Sequence, residues 1–212
     1  STISVSDSRV SNWDDLSGNG NHFTQATENY RPLSGINQIN GMNALSGDST
    51  SMVTFGNPFG SSISDAFVTL VVEITSNYGF CNVNLRGGAD RFEERWHAFV
   101  PSGWTTFLFD VSGVGAPNRL SYVIDWNISD QVIFSFYSST SGNAQQVWKN
   151  GVLLIGDNTN EDSLTDGGIE IGLNGAILGE IFIINNQITA DTRVASEGYL
   201  AHKWGLAGEL PN

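Results

Sequence analysis

Hydrophobic and polar positions alternate in short runs along most of the chain, and an alternation of period two is typical of β-strands. The strongest run is 66–74, AFVTLVVEI, whose central residues are apolar on both faces, so we expect it inside a sandwich. Shorter runs predict strands at 2–5, 51–55, 79–85, 91–99, 104–110, 120–126, 131–137 and 169–173. Asn150-Gly151 predicts a hairpin over 147–155. Segments 6–21 and 22–32 are interpreted as loops, and 36–46 as a loop that leads into a short strand.

The last 37 residues predict a strand, a turn and a helix. Residues 177–184 alternate and then become wholly apolar, which favours a buried strand. Asn185-Asn186 marks a turn, and Thr189 is placed to cap a helix that carries Asp191 in its first turn. The residues at helical spacing are Val194, Glu197/Gly198, Ala201 and Trp204. We expect this stripe to pack on a sheet, with Gly205 ending the helix.

Roughly a dozen short strands and one helix indicate an all-β fold, a two-sheet antiparallel β-sandwich with one short C-terminal helix. The 212 residues are enough for one such domain, and we expect residues 1–212 to form it.

Both ends of the chain resemble a known family. GEIFIINNQITADTRVASEGYLAHKWGL at 179–206, followed by LP at 210–211, resembles the closing segment of bacterial and phage laminin-G-like domains. These domains belong to the concanavalin A-like lectin/glucanase superfamily, and His202 stands where they commonly have tryptophan. VSNWDDLSGNGNHFTQATENYRP at 10–32 resembles their opening, and WKNGV at 148–152 resembles their hairpin. The resemblance implies a jelly roll, but the superfamily includes lectins, adhesion modules, glycosidases, lyases and particle proteins.

The charge narrows the range of partners. Twenty-two Asp and Glu against nine Lys and Arg give a net charge of −13, which disfavours nucleic acid and anionic lipid. There is no apolar run long enough to span a membrane. The lone Cys81 lies in an apolar stretch and is interpreted as a buried structural thiol. STISVSDSRV lacks a signal-peptide pattern, so we expect either an excised domain or a protein released by lysis, such as a phage virion protein.

A loop near the N-terminus is rich in oxygen-bearing side chains. Asp14, Asp15, Asn19 and Asn21 are candidate ligands for Ca²⁺, which prefers hard oxygen ligands. The alternative is a turn held by side-chain hydrogen bonds, with Trp13 packed as an anchor. A second oxygen-rich segment, 157–166, has the same two interpretations.

The segment RFEERWHAF at 91–99 combines charged and aromatic residues. On a strand, Arg91, Glu93, Arg95 and His97 share one face, and such a face suits a bound sugar chain. The predicted ligand-binding residues are Arg91, Glu93, Arg95, Trp96 and His97. Trp96, Trp104 or Trp126 would stack on sugar rings. The alternative for the charged face is cross-strand ion pairing, and for each tryptophan it is core packing.

No catalytic residues are predicted. Glu93 and Glu94 are adjacent and point to opposite faces of a strand, so they cannot flank one glycosidic bond. The Glu-x-Asp-x-x-Glu pattern of glycosidases in this superfamily is absent. The sequence therefore favours a non-catalytic module that binds cell-surface or extracellular glycans and is located outside the cell or on a virion surface. The alternatives are a structural or decoration protein of a phage particle and, less favoured, a glycoside hydrolase or lyase.

Overall fold

The computed structural model of the chain describes residues 3–47, 50–54, 58–59, 62–76, 80–86, 95–100, 105–111, 119–142, 144–157, 164–165 and 168–211. The first nine strands are β1 (Ile3–Ser6), β2 (Arg9–Trp13), β3 (Phe23–Thr24), β4 (Leu33–Ile39), β5 (Met42–Ser46), β6 (Thr50–Thr54), β7 (Ser62–Ile63), β8 (Asp65–Ile74) and β9 (Phe80–Arg86). The next nine are β10 (Arg95–Phe99), β11 (Thr106–Val111), β12 (Arg119–Val123), β13 (Gln131–Ser139), β14 (Ala144–Lys149), β15 (Val152–Asp157), β16 (Leu164–Thr165), β17 (Ile169–Asn174) and β18 (Ala176–Ile184). The helix α1 spans Ala190–Lys203, and short 3₁₀ turns cover Glu28–Tyr30 and Ala207–Glu209.

The strands form two antiparallel sheets and one small ribbon. Sheet A has the order β12-β11-β10-β9-β17-β6-β3-β2-β4-β5, with β1 beside β2, and sheet B has the order β18-β8-β13-β14-β15. A single register pair, Leu178 with Leu45, joins β18 of sheet B to β5 of sheet A. Strands β7 and β16 pair separately. The predicted all-β antiparallel sandwich with a C-terminal helix is confirmed.

The core lies between the two sheets and is built largely from aromatic side chains. Phe107 of sheet A lies 5.6 Å from Phe136 of sheet B, and Trp126 lies 5.1 Å from Phe134, measured between ring centroids. Trp126 is only 4% exposed, so it packs in the core and is not a sugar-stacking ring. Cys81 is fully buried, and burial raises the pKa of its thiol, which agrees with a structural role.

The helix covers the outer face of sheet B. The Thr189 side chain accepts a hydrogen bond from the Thr192 N–H at 3.1 Å, so the predicted cap is confirmed. Because α1 buries this face, β8 is buried on both sides, as its apolar pattern predicts. The predicted stripe is wrong at Val194, which is 55% exposed, whereas Leu200 is fully buried. The contact face includes Leu200, Ala201 and Trp204, and Val194 is not part of it.

Two hairpins occupy segments that the sequence suggested were loops. Residues 9–13 form β2, so the loop expected over 6–21 is wrong in its first half. Asp7 and Ser8 both have positive φ, at 49° and 66°, and make a two-residue turn without the glycine that usually signals one. The loop expected at the start of 36–46 is also wrong, because β4 and β5 pair around Asn40-Gly41. That dipeptide is a strong turn signal, because both of its residues readily adopt positive φ.

Candidate functional site

A cleft of about 820 Å³ opens where β18 separates from β5. One wall is the second half of β18, and the other is the loop that follows β2. Leu16, Phe23 and Phe59 supply apolar surface, and Asp14, Asp15, Asn19, Asn21, Asn43 and Asn185 supply polar groups. The cleft therefore combines apolar surface with several hydrogen-bonding side chains, as ligand sites commonly do.

The cleft exists because β18 has a bulge at Gly179. The register of β18 against β8 shifts between Leu178 and Glu180, and bulges of this kind twist a strand and end its pairing on one side. The Trp204 ring packs against Gly179 so closely that an added Cβ would lie 2.9 Å from its nearest carbon. Gly179 thus lets the helix end approach the sheet at the residue where β18 leaves β5.

Lys203 and Glu180 form an ion pair at the end of the cleft nearest the helix. Lys203 donates to Glu180 Oε1 at 2.9 Å, and the Trp204 indole N–H donates to Glu180 Oε2 at 2.9 Å. Desolvation lowers the pKa of Lys203, but the hydrogen bonds to Glu180 and Tyr199 and the charges of those two groups together outweigh it, so the pKa lies above its ordinary value. The charge of Lys203, the cation that lines the described cleft, is therefore already neutralised by Glu180.

The loop wall is held by the Asp15 carboxylate. Asp15 accepts hydrogen bonds from the Ser17 N–H and hydroxyl, both at 2.8 Å, and from the Asn21 N–H at 3.0 Å. Burial alone would raise the pKa of Asp15, but these bonds and the neighbouring His22 hold it below its ordinary value. Asp14 accepts from the Asn12 amide at 2.6 Å. This is the geometry that the hydrogen-bonded turn interpretation requires.

The four predicted calcium ligands all line this cleft. Within the described ranges, no three His, Cys, Asp or Glu side chains are grouped closely enough to hold a metal ion. Calcium also binds amide and carbonyl oxygens, and each carboxylate oxygen has two lone pairs. The calcium site therefore stays a prediction. Residues 158–163 and 166–167 of the second oxygen-rich segment lie outside the described residues.

The predicted sugar-binding strand is β10, the third strand from the β12 edge of sheet A. Arg91, Glu93 and Trp104 lie outside the described residues, as do the side chains of Arg95, Trp96 and His97. The backbone register is described, and it pairs His97 with Asn84 on one side and Asp110 on the other. This register places polar residues of four other strands in line with position 97.

We call these five register positions the polar row. Its members are Arg119, Asp110, His97, Asn84 and Glu170. The row belongs to the outer face of sheet A, because the neighbouring residues Val83, Phe109 and Ile171 lie in the core. The row cannot be predicted from the sequence, since its members are far apart in the chain and alternation does not determine strand register.

One end of the polar row is rigid. Arg119 donates from Nε to Asp110 Oδ1 at 2.6 Å and from Nη2 to Oδ2 at 2.7 Å, which is the two-pronged geometry of strong Arg–carboxylate pairs. Hydrogen bonding to Asp110 raises the pKa of Arg119. The Arg119 side chain remains 27% exposed, whereas that of Asp110 is 6% exposed. Asn84 Oδ1 is buried without a hydrogen-bond partner among the described residues.

Comparison with solved structures shows the fold. The binding domain of botulinum neurotoxin DC in complex with SialylT is 12% identical, with a TM-score of 0.59 over 92% of this chain and 51% of that one. The binding domain of botulinum neurotoxin serotype D/C VPI 5993 is 10% identical, with a TM-score of 0.57 over 92% and 52%. A structure of botulinum neurotoxin type C, a toxin whose cell entry depends on interaction with two ganglioside molecules, is 11% identical, with a TM-score of 0.54 over 92% and 51%.

These similarities concern part of larger proteins. The chain spans about half the length of the three solved structures. No protein-family model matches the chain, and no curated protein matches it either. Membership of a laminin-G-like family therefore stays a prediction. Among the described residues, no helix is long and apolar enough to cross a membrane.

Proposed function

We propose that the protein is a non-catalytic binding module for glycans and that the glycan lies across the outer face of sheet A. The polar row carries this proposal. It crosses five neighbouring strands, a span of about 19 Å at about 4.8 Å per strand. A sugar chain presents hydroxyl groups along its length, and a line of polar residues is complementary to it.

The spacing and pairing of the carboxylates within the row support binding rather than hydrolysis. The carboxylates of the row, Asp110 and Glu170, are three strands apart, or about 14 Å. Glycosidase carboxylates lie about 5–9.5 Å apart. Asp110 is also held by both prongs of Arg119, so it is committed to positioning the guanidinium. Two of the solved structures with this fold are a complex with SialylT and a toxin whose cell entry depends on interaction with two ganglioside molecules, and that chemistry is compatible with the row.

The first experiment is a binding assay against neutral and acidic polysaccharides with calcium present. We expect Asn84→Ala to weaken binding about tenfold, because it removes a central hydrogen-bonding group from the row. Arg95→Ala and Trp96→Ala test the β10 residues that the sequence suggested. Asn43→Ala is the matched control, since it deletes the same amide side chain from the cleft.

Two outcomes would contradict the proposal. If none of the polysaccharides binds, glycan binding is ruled out as the function. Binding that Asn43→Ala abolishes and Asn84→Ala leaves intact would move the glycan from sheet A to the cleft. Location outside the cell or on a virion surface is part of the proposed role, and purification with intact particles tests the virion alternative.

A further inference from the structure

The second half of β18 is an open sheet edge. β18 pairs with β8 from Ala176 to Ile184, but its other side pairs only at Leu178. From Glu180 to Ile184, no strand in the described part of the chain pairs with this side. An edge of this kind presents backbone N–H and C=O groups toward whatever lies beside it.

Among the described residues, this edge lacks the usual protections. Sheet edges are normally guarded by proline, by inward-pointing charges or by a covering element. Residues 181–184 read IFII, with no charge and no proline, and all four are only partly buried. Glu180, at one end, is tied to Lys203 and Trp204. The half-buried apolar edge lies along the cleft, where an added strand would lie.

The opposite wall determines the chemistry of the occupant. It carries the carboxylates of Asp14 and Asp15 beside Leu16, whose side chain is 69% exposed. The protein has a net charge of −13, so a second copy would bring like charge to an acidic wall. An extended peptide that alternates apolar and basic residues would place its apolar side chains on the cleft floor and its cations near Asp14 and Asp15.

We propose that the Glu180–Ile184 edge of β18 accepts an extended, basic peptide segment of a partner protein as an additional strand of sheet B. This surface is separate from the polar row, so one module would hold a glycan on sheet A and a protein strand at β18. The partner segment needs about five residues of strand, or roughly 17 Å, to pair with the edge.

The test uses a capped nine-residue peptide that alternates lysine and valine, titrated into the full chain. We expect saturable binding and slower hydrogen exchange at those amides of residues 180–184 that point away from β8. A peptide with glutamate in place of lysine tests charge, and the lysine peptide with N-methyl groups on alternate residues tests backbone pairing. Both are expected to bind about tenfold more weakly or not at all.

A matched pair of variants locates the site. Leu16→Arg places a cation on the cleft wall and is expected to weaken the lysine peptide about tenfold. Ile36→Arg adds the same charge at another exposed site, 58% exposed and outside the cleft lining, and is expected to change the affinity less than twofold. Both positions are exposed, so both variants are expected to fold.

Several outcomes would overturn the proposal. These are no binding of the lysine peptide, equal binding of the glutamate or N-methylated peptide, and equal effects of the two arginine variants. Self-association of the free protein that Leu16→Arg abolishes would assign the edge to a second copy. An oligosaccharide that displaces the peptide and is itself weakened by Leu16→Arg would make the cleft a sugar site.

Discussion

The two halves of β18 have similar apolar sequences and different surroundings. Residues 176–178, AIL, are at most 5% exposed, and the last of them, Leu178, pairs with strands on both sides. Residues 181–184, IFII, are only partly buried and pair on one side. Gly179 separates them. The comparison shows that hydrophobicity indicates that a strand belongs to a sheet but does not determine whether both of its edges are covered.

The largest expected effect comes from filling the space at Gly179. In Gly179→Ala the new Cβ would lie 2.9–3.0 Å from three carbons of the Trp204 ring, so the indole must move. We expect a loss of about 1–3 kcal/mol in the free energy of unfolding, measured by chemical denaturation. The control is Gly198→Ala, where no atom lies within 4 Å, and it should stabilise the helix by up to about 1 kcal/mol. Equal stability of Gly179→Ala and the wild type would mean that the bulge does not depend on this packing.

Calcium binding would fix the loop of Asp14 and Asp15, which faces the open half of β18, and so would increase the difference between the two halves. If the loop binds calcium with the affinity typical of extracellular modules, about 5 mM calcium adds roughly 1 kcal/mol of stability. We expect a higher Tm with calcium, a return to the starting value with chelator, and no gain in Asp14→Asn. Glu28→Gln removes one charge outside the cleft lining and should keep the gain. A Tm that calcium does not change would leave the loop as a turn held by its side-chain hydrogen bonds.

The smallest expected effect is the pH dependence of the same wall. Because the pKa of Asp15 is depressed in the folded protein, its stabilising contribution is present above its unfolded pKa, near 4, and is lost as the pH falls through the folded value. Asp15→Asn should lower the Tm slightly at pH 6, because it removes no more than about 1 kcal/mol from the free energy of unfolding. The Tm difference from the wild type should shrink toward pH 2. A difference that persists unchanged at pH 2 would show that the carboxylate charge is not what holds the loop.

The sequence predicted much of the fold because its signals are local. Alternation located most strands, and Asn150-Gly151 located a hairpin whose turn residues have φ of 50° and 76°. Thr189 caps the helix as its residue type and position predicted. The Asp7-Ser8 turn was missed because neither residue is glycine, and Val194 was misplaced because the tilt of a helix on a sheet is not encoded in its spacing.

Asn40 shows how one residue joins local and tertiary requirements. Its φ of 47° suits the two-residue turn between β4 and β5, and its amide donates to the Trp204 carbonyl at 2.7 Å. The turn can be predicted from Asn40-Gly41. The bond to the end of α1 joins residues 164 positions apart, so only the folded chain reveals it.

The sequence by itself determined the class of fold, the helix and its cap, the acidic character of the molecule and the oxygen-rich loop. These depend on periodicity, residue type and net charge, which are properties of short segments or of the whole composition. The tertiary structure alone decided which residues share the polar row, where β18 leaves β5, and that the loop of Asp14 and Asp15 faces an open strand edge. Register and sheet order depend on contacts between distant segments, and a one-residue shift would move every member of the row to the other face.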